Sequence, residues 1–291
     1  MKGLIFTNAY SMQSEALYQP TRLKDEFESL GVSIDIRAND FFPFCIDTSI
    51  KSKISEYDFC IYLDKDKYVL KCIESLDIPL FNGYDAIETC DDKMMTYIAL
   101  ASAGIPTPKT LPGLLCYDRA CPVKNSSVEA IENELGYPVI IKECFGSLGK
   151  GVYLARDKEK LVSVMEKLKC TPHLFQSFVS SSYGRDLRVI VIGDKVVGAM
   201  LRQSNGDFRS NITAGGTGTA YPLSPEIESL ALACARALNL DYCGIDLLFT
   251  EQGFTVCEVN SNAFFGGFEK ATGINVARLY ATYILEKIAN K

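Results

Sequence analysis

The segment Glu143-Cys144-Phe145-Gly146-Ser147-Leu148-Gly149-Lys150-Gly151-Val152-Tyr153 has the glycine density of a phosphate-binding loop. It is not a Walker loop, which needs G-x-x-x-x-G-K-[ST]. Gly146 and Gly149 stand only three apart, and Gly151 follows Lys150 where a hydroxyl residue is required. The flanks "YPVIIKE" and "GVYLA" read as strands, so the glycines form a hairpin tip rather than a strand-to-helix turn. Such a tip is either a plain turn or a set of amides laid on a phosphate, since glycine permits close backbone approach. Lys142 favours the second reading, because a charge inside an apolar strand is costly unless an anion meets it.

A second segment, "GIDLLFTEQGFTVCEVNSN" (244–262), reads as two strands around a loop Glu251-Gln252-Gly253. Pairing Thr250 with Phe254 and counting back sets Asp246 opposite Glu258, with Asn260 on the same face. Ile245, Leu247, Phe249, Cys257 and Val259 then form a core face. Facing carboxylates repel one another unless a cation lies between them. Hard oxygen donors without histidine suit Mg2+ or Mn2+ better than zinc, bridging nucleotide phosphates. The alternative is a solvated polar face balanced by Lys or Arg.

Elements must hold these groups, and composition bounds what they are. The chain has 291 residues, 47% of them hydrophobic and 23% charged, as in a soluble globular protein of two domains or of one lobed domain. No run is long enough to cross a bilayer, and "MKGLIFTNAY" reads as a first strand rather than a signal peptide, so no membrane partner and a cytoplasmic location are expected. The net charge of -6 argues against nucleic acid. Eleven cysteines, several in apolar runs, read as reduced buried residues; no Cys-x-x-Cys pair supports zinc. His173, the single histidine, reads as an incidental loop residue, leaving the chemistry to Lys, Arg, Asp, Glu and backbone amides.

Short apolar runs (Gly3–Thr7, Val32–Ile36, Tyr57–Leu63) alternate with helical patterns (Tyr18–Leu30, Lys67–Leu76), which indicates a small parallel α/β domain over 1–90. "DDKMMTYIALASAGIPTPKT" then predicts a helix capped by Asp91 or Asp92, with Met94, Ile98 and Leu100 apolar, ended by Gly104 and the prolines. From Pro138 onward antiparallel strands are expected, with helices near Lys158–Lys167, Pro225–Leu238 and Val276–Ala289.

With these motifs in order, the chain resembles the ATP-grasp carboxylate–amine ligases, in particular the RimK-type α-L-glutamate ligases. "DDKMMTYIALASAGIPTP", "YPVIIKECFGSLGKGV", "FQSFVSSSYGRDLRVIVIGDKVVGAM", "GDFRSN", "GIDLLF", "CEVN" and "GFEKATGINVA" carry the likeness over roughly the last two thirds. The fold it implies is a pre-ATP-grasp α/β domain (1–90) followed by an α+β ATP-grasp domain (91–291), with a mobile lid lobe at about 107–178 and a core lobe at about 179–291. The resemblance assigns ATP phosphate contacts to Lys93 and Lys142, and the covering loop to Gly146, Ser147 and Gly149. It places adenine at Gln176, Ser177, Phe178 and Val179, with Asp186 nearby. Asp246, Glu258 and Asn260 match the ligands of Mg2+ or Mn2+, two ions being expected. Arg202 and Arg209 match catalytic groups facing the reacting carboxylate, with Ser210 and Asn211 beside the phosphates; Arg185 and Arg188 read equally as solvated strand residues.

One departure stands out: where the family has Asn-Ala-Ser-Pro-Gly, this chain reads Asn260-Ser261-Asn262-Ala263-Phe264-Phe265-Gly266-Gly267. The loop lies on the family's substrate side. The resemblance implies that ATP phosphorylates a carboxylate and that the amine of an amino acid then attacks the acyl phosphate. The partners implied are a small-molecule or peptide carboxylate acceptor and an amino acid; a homo-oligomer is compatible with them. The alternatives are dipeptide or peptide-tail ligation on the same nucleotide site, or a nucleotide-binding module without catalysis.

Overall fold

Strand β1 (Lys2–Thr7) carries Leu4, Ile5 and Phe6 with no solvent exposure, as expected of a parallel strand covered on both faces. The computed structural model describes residues 1–11, 14–147, 149–210 and 216–290. Helix α1 (Ser14–Ser29) leads to β2 (Ser33–Ala38), and a small antiparallel pair, β3 (Phe44–Ile46) with β4 (Ile50–Ser52), precedes β5 (Phe59–Leu63). Helix α2 (Lys67–Glu74), capped by the Asp66 carboxylate, leads to β6 (Leu80–Phe81). The parallel sheet has the order β2-β1-β5-β6, as the alternating pattern predicts.

Helix α3 (Tyr84–Asp91) breaks at Asp92, whose extended backbone lets its carboxylate accept the Met94 and Met95 amides and start α4 (Lys93–Ser102). Gly104, at φ +71°, ends that helix as the sequence suggests. The buried face differs from the expectation: Thr96, Tyr97 and Leu100 point inward, whereas Ile98 is half exposed.

A second sheet, β7-β10-β8-β9, is antiparallel. It comprises β7 (Thr110–Pro112), β8 (Val139–Glu143), β9 (Val152–Ala155) and β10 (His173–Ser177). Helices α5 (Asn125–Leu135) and α6 (Lys158–Leu168) cover one face, packing Val128, Ile131, Leu161 and Val164 on Val139, Ile141 and Phe175. Alternation therefore turns Ile140 and Lys142 to the opposite face. His173 is not a loop residue: it lies in β10, buried edge-on against Phe175, with Nδ1 2.7 Å from the Thr171 carbonyl.

The third sheet follows the order β13-β12-β11-β14-β15, all antiparallel. It is built from β11 (Arg185–Ile192), β12 (Lys195–Gln203), β13 (Thr217–Tyr221), β14 (Tyr242–Thr250) and β15 (Gly253–Asn260). Helix α7 (Pro225–Ala237) packs Ile227, Ala231 and Cys234 on Leu187, Val189, Ile245 and Leu247. Helices α8 (Gly266–Thr272) and α9 (Val276–Ala289) cover the other face, where Phe268 and Tyr280 join Ile190 and Tyr242 to Ile5, Phe27 and Phe59 of the parallel sheet in one apolar cluster. Buried Asn82 reinforces the join: its amide donates to the Tyr242 and Ser261 carbonyls at 2.8 Å each and accepts the Asp241 and Tyr242 amides.

Candidate active site

Three strand registers build the floor of a cleft. Asp186 on β11 faces Arg202 on β12, Arg188 on β11 faces Asp246 on β14, and Asp246 faces Glu258 on β15. The intervening residues Leu187, Val189 and Leu247 point into the core, so the period of two gathers the charges on the other face. Arg202 places Nε and Nη2 on the two Asp186 oxygens at 2.6 Å each, and Nη2 also lies 2.8 Å from Asp246. Arg188 donates Nε and Nη2 to the two Asp246 oxygens at 2.5 and 3.0 Å, sharing one of them with Arg202, and Ser210 donates to Asp186. Burial alone would raise the Asp246 carboxyl, but the two guanidiniums overcome it and hold it below its ordinary value.

The hairpin register differs from the count made on the sequence. Thr250 pairs with Gly253, leaving only Glu251 and Gln252 in the turn, and an irregularity between Asp246 and Leu247 restores Asp246 to Glu258. The extra residue of β15 is Cys257, which therefore joins the cleft instead of the core face. Its Sγ lies 3.7 Å from Lys142 Nζ, and burial pushes its thiol up.

The roof comes from the β8–β9 hairpin. Lys93, in the first turn of α4, donates to the Gly146 carbonyl at 2.7 Å and lies 3.6 Å from Glu258. Arg209 donates Nη1 to the Gly149 carbonyl at 3.1 Å, while Nε and Nη2 hold Asp207. Lys142 is buried beneath this loop, and its ammonium donates to the Tyr97 hydroxyl at 3.1 Å. Its hydrogen-bond partners among the described residues are thus a phenol and a thiol, both neutral, so the charge that the sequence flags has an anion-accepting face. At the side wall, Gln176 is buried and donates to Thr110 at 2.8 Å, and Ser177, Phe178 and Val179 continue the edge.

An open cleft of about 870 Å3 is lined by Lys93, Lys142, Gly146, Ser147, Gly149, Gln176, Ser177, Phe178, Val179, Asp186, Arg202, Arg209, Ser210, Asp246 and Glu258. Sequence motifs spread over more than 160 positions thus converge on one space. Asn260 is not in that lining: it faces Gly244 farther along the ladder, with its Nδ2 buried and without a partner among the described residues. Asn211 lies outside the described residues. Tyr97 was missed by the sequence reading; its place three residues before buried Leu100 on α4 is the available signal. Arg188 is not solvated, whereas Arg185 is exposed and stacks 4.6 Å over Phe249.

No group of three or more His, Cys, Asp or Glu side chains is arranged to hold a metal among the described residues. Asp246 and Glu258 with the Asn260 amide oxygen are the hard oxygen donors present, a set that fits Mg2+ or Mn2+, whereas the orphaned Asn260 Nδ2 is an N–H donor that needs an acceptor such as a water. In the altered loop, Phe265 is fully buried in the shared core and the Ala263 carbonyl accepts the Tyr242 hydroxyl at 2.6 Å. One of its two aromatics therefore anchors the loop from behind.

Residues 90–284 match the RimK-like ATP-grasp domain. The chain belongs to that family. Human N-acetylaspartylglutamate synthase A is 35% identical over 265 residues, covering 90% of this chain and 65% of that protein. A probable alpha-L-glutamate ligase of Legionella pneumophila (strain Corby) is 35% identical over 223 residues, covering 75% and 71%. The chain spans somewhat more than half to about two thirds of the length of three of the curated relatives it matches. The solved structure of ATP-grasp ligase PsnB, complexed with a phosphomimetic variant of minimal precursor, Mg and ADP, superposes with a TM-score of 0.70 at 18% identity over 98% of each chain, a likeness of fold. The RimK-like match covers the β8–β9 hairpin and the β11–β15 sheet together, so the cleft lies wholly on family elements.

Proposed function

We propose that the chain is an ATP-dependent carboxylate–amine ligase that phosphorylates a carboxylate, joins it to the amine of an amino acid and releases ADP and phosphate. The observation that carries this reading is a buried cation, Lys142, with neutral protein partners, roofed by a glycine hairpin and facing carboxylates on a rigid floor. The relatives' names speak for glutamate as the amino acid and a small carboxylate as the acceptor. We assign residues 1–90 to a pre-ATP-grasp domain and 91–291 to an ATP-grasp domain, its lobe at about 107–178 moving as a lid over the lobe at about 179–291. No helix among the described residues is long and apolar enough to cross a membrane.

Lys93 and Lys142 bind and orient the phosphates, and the amides of Gly146, Ser147 and Gly149 close over them. The edge from Gln176 to Val179 receives the adenine. Asp246, Glu258 and Asn260 would hold Mg2+ or Mn2+, two ions being expected, which supply charge neutralisation at the transferring phosphoryl group. Asp246 already accepts from two arginines, but its oxygens retain further lone pairs. Metal affinity should therefore be low until nucleotide phosphates offset the guanidinium charge.

Arg202 keeps Nη1 without an acceptor among the described residues, and Arg209 touches the roof; both are placed to face the reacting carboxylate and the acyl phosphate. Holding reactants in line and neutralising charge suffices for this chemistry, which accounts for a site without histidine. The test is ADP release measured against a panel of carboxylates, each with glutamate and with other amino acids. Stimulation that requires both a carboxylate and an amine is expected. Tight ATP binding with no stimulation by any pair would leave a nucleotide-binding module and sink the ligase reading.

A further inference from the structure

Away from the cleft, three cysteines from two segments gather around one lysine. Cys116 and Cys121 lie in the connection from β7 to α5, and Cys170 follows α6. The Cys116 amide donates to the Lys169 carbonyl at 2.7 Å, and Lys169 Nζ reaches back to the Cys121 carbonyl and the Glu166 carboxylate at 2.6 Å each. A backbone bond from residue 116 to the carbonyl that precedes residue 170 limits their Cα–Cα separation to roughly 7 Å by standard peptide dimensions, and bending at the bond brings it into the roughly 4.4–6.8 Å range that disulfides span. None of the three thiols is sealed in the core: Cys116 and Cys170 are partly exposed and Cys121 is exposed. The three do not form a metal-holding group.

The position of Cys170 gives the pair a route to the roof. Two residues on, the Pro172 carbonyl accepts the Cys144 amide at 2.8 Å, and the Cys144 carbonyl accepts the Lys93 amide at 3.0 Å. The turn after α6 thus anchors the base of the glycine hairpin and the start of α4 together.

We propose that Cys116 and Cys170 form a reversible disulfide under hydroperoxide stress, and that this staple shifts the anchor of the glycine hairpin. One thiolate attacks the peroxide O–O bond, becoming a sulfenic acid as water or alcohol leaves. The second thiol displaces the hydroxyl as water, so two thiols are oxidised and one peroxide reduced. A thiol reductant reverses the bond by exchange.

Trypsin separates the three cysteines, cutting after Arg119, Lys124 and Lys169. The intact folded chain treated with a few equivalents of hydrogen peroxide should yield peptide 110–119 linked to 170–185, lost on reduction and absent in Cys170→Ser. Hydrogen exchange at the Cys144 amide should differ about tenfold between the oxidised and reduced protein, a coupling of ordinary allosteric size. That readout needs no nucleotide, so it stands or falls apart from the ligase reading. Separate oxidation of the thiols, linkage through peptide 120–124 or linkage only after denaturation would overturn the pairing. A linked protein with unchanged Cys144 exchange would overturn the coupling.

Discussion

The floor and the roof of the cleft are built on opposite physical terms. On the floor, Asp186, Arg202, Asp246 and Arg188 are set by strand register, buried and paired with one another. The roof is a glycine hairpin tied down by long side chains, Lys93 on Gly146 and Arg209 on Gly149, the latter pair partly exposed. A ligand can exchange the roof's contacts for its own at little cost, whereas the floor cannot move without stranding a charge. The division suits a reaction in which phosphates must enter, be enclosed and leave over a fixed electrostatic base.

The sharpest way to break the comparison is Arg202→Met. It strands buried Asp186 beside Asp246, and a loss of about 3–5 kcal/mol in urea unfolding is expected, together with loss of any ligase turnover. Lys142→Met should act oppositely: removing a buried charge leaves stability unchanged or raised, while nucleotide affinity falls by about 1.5–3 kcal/mol, the worth of a charged hydrogen bond, read by calorimetry. A roof variant, Gly151→Ala, forces a side chain onto φ +73° and against Glu143, 2.9 Å from its new Cβ. A cost of about 1–2 kcal/mol is expected, with KM for ATP rising more than kcat falls.

The smallest effect is on acid stability. Because the Asp246 carboxyl is held below its ordinary value, its contribution is complete above the unfolded value of about 4 and is lost as pH falls through the folded one. Urea midpoints of the wild type should therefore fall more steeply below about pH 4 than those of Asp246→Asn.

Lys142, the glycine hairpin and the facing carboxylates were legible in the sequence because each violates a local rule: a charge in an apolar strand, a run of glycines, two acids at one register. The pair Asp246 and Glu258 was reached through a turn one residue too long and an unforeseen bulge, which cancel. Cys257, inside that bulge, was consequently assigned to the wrong face. The arginine partnerships were not legible, because pairing Asp186 with Arg202 and Arg188 with Asp246 depends on which strands of a five-stranded sheet become neighbours. Tyr97 was not legible because its hydroxyl's partner, the Cys257 carbonyl, lies far along the chain, and His173 was misjudged because its burial follows from β10 pairing between β7 and β8.

The most direct measurement is ADP binding titrated with and without Mg2+ on the wild type and on Glu258→Gln. The account predicts that Mg2+ tightens ADP binding at least tenfold in the wild type, about 1.4 kcal/mol, and has no effect on the variant, whose unfolding midpoint stays unchanged. Equal tightening in both proteins would contradict the assignment of Glu258 to the metal and, with it, the chemistry placed in this cleft.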